Sequence, residues 1–185
     1  MKSVPFTERA EFWKWESASV AFGMVRDVCD YLIQHQLPRS HPIHDPLVTA
    51  IYTLYARPFK QRAPLRLSED IVPESHQDTH FILITFRDKM FAHTDIDRPK
   101  TVDGRVLNEL TGHTNNARTE FGISIFTPVL PSVRELSDEL HDRTHSAAEI
   151  IWRKHASKER VPDGKMIVNL SPQDGPLLIP QPESD

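Results

Sequence analysis

TERAEFWKWESASVAFGMVRDVCDYLIQHQ, residues 7–36, decides the fold class of this chain. Phe12, Trp15, Phe22, Val25, Cys29, Leu32 and Ile33 recur along it at helical steps of three and four, so they draw one apolar stripe. Thr7 is suited to cap the helix, and Glu8 and Glu11 complement the positive end of its dipole. About 30 residues at 1.5 Å rise span roughly 45 Å. That length is unusual for a lone globular helix and typical of a bundle.

The segments that follow repeat the pattern. PRSHPIHDP, residues 38–46, reads as a loop closing on a helix start, with Asp45 as cap and Pro46 in the first turn. Leu47, Ala50, Ile51, Leu54 and Tyr55 then form a second stripe, which Pro58 is expected to end or kink. A basic, loop-like stretch follows: Arg57, Lys60, Arg62 and Arg66 stand within ten residues that contain no acid. A solvated loop and a polyanion contact account for it equally well. A third helix is expected from about Ser75, with Asp78 in its first turn, to near His93 or Asp95. Its residues Ile82, Leu83, Ile84, Phe86, Met90 and Phe91 leave few polar faces, which predicts a central helix buried on most sides.

Beyond it the pattern changes. Phe121, Ile123 and Ile125 alternate as a half-buried strand does, and residues 105–110 can pair with them across a polar 111–118 connection. Ser132 and Glu135 have capping-box spacing before a last helix carrying Leu136, Leu140, Ala147, Ile150 and Ile151 to about His155. From Val161 onward, five prolines in 25 residues predict an extended tail, with a short edge strand over 166–170. The expected architecture is mainly α: an up-and-down bundle of about four helices over 1–160, a small β-hairpin inserted at about 102–126, and a proline-rich tail over 161–185. No internal repeat interrupts it.

Composition agrees with one globular domain. The chain has 185 residues, 38% of them apolar and 26% charged, enough for a core without staples. Its N-terminus has no uninterrupted apolar stretch of signal-peptide type, and the best apolar run, FILITF at 81–86, is far too short for a membrane span. A single cysteine, Cys29, excludes an internal disulfide and suits a reducing cytoplasm; its place on the helical stripe makes it a core residue rather than a nucleophile. A net charge of −4 means that nothing global advertises nucleic-acid binding, so any such role has to be local.

The most specific local feature is RDKMFAH, residues 87–93, followed by Thr94 and Asp95. Arginine and histidine suffice to cleave RNA without a metal or other cofactor. A histidine titrates near neutrality and can move the 2′-hydroxyl proton or protonate the leaving oxygen. An arginine stays charged and offers a planar fork to a phosphate. On one regular helix, however, Arg87 and His93 would point about 120° apart and lie about 9 Å apart along the axis. Either the helix breaks before His93, or two copies of the motif meet across a dimer.

RDKMFAH resembles the R-x(4–6)-H signature of the HEPN superfamily. Together with YARPF at residues 55–59, it is similar to the abortive-infection-associated branch of that superfamily. The resemblance implies a helical bundle, a symmetric homodimer, and metal-independent endoribonuclease activity leaving a cyclic phosphate. It also implies a toxin or antiphage role with a possible antitoxin partner. Carried to this chain, it makes Arg87 the phosphate ligand, His93 the acid or base, and Asp88 the residue that orients one of them. Lys89, Arg57, Lys60 and Arg62 are the candidate RNA-backbone contacts.

Two other readings compete. One is a HEPN module that binds without cutting. The other is a metalloprotein, because His76/His80 in HQDTH and His141/His145 in HDRTH stand four apart, with Glu149 a possible third ligand. Histidine-bearing solvated faces and inter-helix hydrogen bonds account for those pairs better, and no metal site is assigned. Tyr52, Tyr55, Trp13 and Trp15 could stack bases but are expected to be core. The chain has no clustered phosphate-cradling glycines and no nucleophile elbow.

Overall fold

A computed structural model describes residues 7–89 and 125–154 with their side chains. Elsewhere it gives only stretches of backbone, such as an antiparallel ladder of Leu110–Asn115 with Arg118–Ile123. The hairpin insertion and the extended tail expected from the sequence lie outside the fully described residues, as does His93. Among the described residues the architecture is mainly α, a bundle of four helices: α1 (Phe6–His35), α2 (His44–Lys60), α3 (Gln77–Arg87) and α4 (Leu130–Ala156). No helix among the described residues is long and apolar enough to cross a membrane.

Helix α1 is the spine, and its stripe is buried as expected at Phe12, Phe22, Val25, Cys29 and Leu32; Ile33 is exposed instead. Thr7 lies one residue inside the helix rather than before it. Gln36, with φ 45°, takes the left-handed conformation that ends helices.

Antiparallel to α1, α4 makes a ladder of polar links along their shared seam. Arg134 meets Asp30 at 3.1 Å, Arg26 meets Asp138 at 3.2 Å, and Lys154 meets Glu8 at 2.7 Å. Mid-seam, His141 Nδ1 lies 3.0 Å from the Ser19 hydroxyl, next to Gly23, where an added Cβ would stand 3.4 Å from the same ring nitrogen. The capping box expected at Ser132 does not form the end of α4, because the helix already begins at Leu130, with Pro131 where a missing N–H costs nothing. Val133 N–H reaches back to the Val129 carbonyl at 3.1 Å. Val133, Leu136 and Leu140 fill the core, whereas Ile150 is exposed.

Helix α2 departs most from expectation. It begins at His44 with no side-chain cap, and Asp45 sits inside the first turn, 3.0 Å from His44 Nδ1. Pro58 does not end it. The helix runs on to Lys60 with Pro58 buried inside, because Phe59 must reach the core beside Phe22 at 5.8 Å. Tyr52 and Tyr55 are fully buried core residues, as expected. Tyr52 stacks on Phe86 at 5.7 Å and donates to the Phe126 carbonyl at 2.9 Å.

Two short 3-10 turns, Glu69–Ile71 and Glu74–His76, lead into α3. This helix is not central. It packs on α2 through His80, Leu83 and Phe86, while Phe81 is 64% exposed. Aromatic and aliphatic residues on several faces predict burial on most sides, but no element among the described residues covers the outer side.

Candidate functional site

Helix α2 continues through Pro58, so Thr53, Arg57 and Lys60 fall at four- and three-residue steps on one exposed helical face. Proline has no N–H, so the Leu54 carbonyl in the same turn lacks its helical donor. Together with Leu54, Gln61 and, across from α3, Arg87, these residues line an open cleft of ≈ 420 Å³. Three of its six lining side chains are cations and none is an acid.

Asp88 stands at the edge and ties the two helices together. Arg87 Nη1 donates to its Oδ1 at 3.0 Å, and Lys60 Nζ donates to its Oδ2 at 2.6 Å. Partial burial pushes the Asp88 carboxyl upward, but the hydrogen bonds from Lys60 and Arg87 outweigh it and hold the group below its ordinary 3.8. The carboxylate therefore stays ionised and keeps both cations at the cleft. Arg57 has no ion-pair partner among the described residues, which leaves its guanidinium available to an anion.

No protein-family model, curated protein or solved structure matches this chain.

The structure brings Arg87, Asp88, Arg57 and Lys60 to one place. Lys89 is half-buried directly after Asp88, and Arg62 is exposed beyond the end of α2 without lining the cleft. After Arg87 the helix changes character: Asp88 and Lys89 form a wider, π-type turn.

The histidine pairs are engaged elsewhere. His80 is buried, its Nδ1 2.8 Å from the Tyr55 hydroxyl and its Nε2 3.8 Å from Glu69. Burial and Glu69 hold the Tyr55 phenol well above its ordinary 10.0, so it donates to Nδ1 and leaves the ring proton on Nε2, facing Glu69. His76 faces Glu139 of α4 at 3.9 Å. His141 bonds Ser19, and His145 lies 3.9 Å from Glu16. Among the described residues no group of three or more histidine, cysteine, aspartate or glutamate side chains gathers as a metal site would. Cys29 is buried, and burial pushes its thiol up to about 12, which removes it as a nucleophile.

Thr53 and Gln61 were missed by sequence reasoning. Reading Pro58 as an end or a kink, and the basic stretch around it as loop-like, hides the i, i+4, i+7 relation of Thr53, Arg57 and Lys60.

Proposed function

We propose that this chain is a HEPN-type, metal-independent endoribonuclease whose α2–α3 cleft holds the RNA backbone. Arg87 binds the scissile phosphate, and His93 moves the proton. A symmetry mate supplies the second Arg/His pair, so that each site is composite across a homodimer. One observation carries this reading: Arg57, Lys60 and Arg87, from two helices, line one cleft with Asp88 bridging the last two at its edge, and Arg87 and Asp88 open the RDKMFAH motif. Guanidinium forks and an ammonium at such a cleft suit a phosphodiester, and the contact is local enough to coexist with an overall negative charge. Asp88 keeps Arg87 in its rotamer before RNA arrives. The superfamily resemblance supports a toxin or antiphage role, with RNA as substrate and an antitoxin protein as a possible partner.

The full-length chain, incubated with single-stranded RNA in the presence of EDTA, should yield cyclic-phosphate ends. His93→Ala should lower the rate by about 10²–10⁴-fold with an unchanged circular-dichroism spectrum. Arg57→Ala and Lys60→Ala should each weaken binding and reduce the slope of log affinity against log salt by about 0.7. Cleavage that chelator abolishes would overturn the mechanism. RNA bound but never cut would leave a HEPN binding module.

A further inference from the structure

Most exposed apolar residues of the bundle stand alone, as scattered surface hydrophobics usually do. Those on α1 do not. Trp13, Val20, Met24 and Tyr31 are 41%, 50%, 51% and 42% exposed and follow one another on the side of the helix turned away from its buried stripe. Ser17 and Asp27 complete the row, which alternates steps of four and three through 13, 17, 20, 24, 27 and 31. This is the heptad spacing of a coiled-coil seam, sustained over about 27 Å of helix.

We propose that this outer face of α1 is an antiparallel self-association surface that takes α1 of a second copy of this chain. Polarity and charge select the occupant and its direction. When a second α1 runs antiparallel with Val20 opposite Met24, Trp13 falls opposite Tyr31 and Ser17 opposite Asp27. Every apolar residue then meets an apolar one, and the Ser17 hydroxyl, which donates to the Lys14 carbonyl at 3.3 Å within its own helix, can turn to the Asp27 carboxylate. The two-fold axis passes between Val20 and Met24, so each contact is made twice, as an isologous interface requires. A parallel, in-register pair would set Asp27 against Asp27, two like charges facing each other. Asp27 is already paired with Arg26 at 3.1 Å within its own chain, which leaves the seam without an unbalanced charge.

The proposal is independent of the nuclease reading, because no cleft-lining residue lies on α1. A seam through α1 leaves the cleft open; with a cleft-side pairing as well, each chain would have two isologous contacts, which build a tetramer or an open chain.

Sedimentation of the full chain at tens of micromolar, compared with a Val20→Glu/Met24→Glu variant, tests it. Both residues are exposed, so the variant should keep its helical spectrum and melting temperature while its mass falls to half that of the wild type. An unchanged mass would overturn the proposal, and so would a monomeric wild type, which would leave the stripe to a different partner. Register is tested separately. An equimolar mixture of Val20→Cys and Met24→Cys chains should form a disulfide-linked pair under mild oxidation, while each alone links at least several-fold less. Stronger linking of Val20→Cys to itself than to Met24→Cys would rule out the antiparallel seam.

Discussion

At the scale of single residues, Asp88 and His80 show what local environment does to charge. Asp88 serves two neighbours, Arg87 and Lys60, and its own charge is the nearest competitor to a bound phosphate. Asp88→Asn should therefore tighten RNA binding severalfold while lowering the cleavage rate, since Arg87 loses its tether. Separate measurement of Kd and single-turnover rate checks this; both moving the same way would contradict it. The stability cost should be small, because half-exposed ion pairs contribute about 0–1 kcal/mol each. His80 works in the opposite sense. Burial lowers its pKa from 6.5; Glu69 partly offsets the shift, and Lys60 adds to it. The unfolded chain thus takes up a proton that the folded one resists, so stability is whole above 6.5 and declines as pH falls below it toward the lowered folded value. Melting temperature measured between about pH 7 and pH 5 should fall less steeply in His80→Gln than in the wild type. Asp88 adds to the acid side: its contribution is present above 3.8 and is lost as pH falls through its lowered value.

At the scale of elements, helix identity was legible and helix limits were not. The three- and four-residue periodicity of α1 named its buried stripe almost residue for residue. Pro58, by contrast, reads as an end or a kink because its local cost in a helix is about 3 kcal/mol. Burial of Phe59 against Phe22, Tyr55 and His80 outweighs that cost and carries α2 two residues further. Half of the candidate site depends on this extension, since it turns Arg57 and Lys60 from loop residues into neighbours on one face. The α1–α4 seam offers a test of close approach. An alanine Cβ at Gly23 would meet His141 at 3.4 Å, the edge of ordinary contact. Gly23→Ala should therefore be neutral or stabilising by up to about 1 kcal/mol, the gain in helix propensity. Gly23→Leu should drive into His141, break its bond to Ser19 and lower the melting temperature. Thermal denaturation of the two variants decides between them, and a destabilising alanine would mean that the seam has no slack.

Across the whole molecule, one continuous core joins α1, α2, α3 and α4, running from Val25 and Cys29 through Tyr52 and Phe86 to Leu136 and Leu140. Leu140→Ala, at a fully buried position in this core, should cost about 2–5 kcal/mol of stability in a denaturant titration. RNA affinity of the remaining folded protein should be unchanged, because the cleft lies on the α2–α3 side. By itself the sequence determined that this chain is mainly helical, that Tyr52, Tyr55 and the lone cysteine belong to the core, and that Arg87, Asp88, Arg57 and Lys60 were the residues to watch. These follow from periodicity, composition and side-chain chemistry, which are local properties. Only the tertiary structure decided that α3 lies at the edge with Phe81 exposed, that Asp88 bridges two helices, and that α1 carries a second apolar stripe left uncovered by the described helices. A stripe becomes core or surface according to which other elements are near it, and that depends on contacts between residues far apart in the chain.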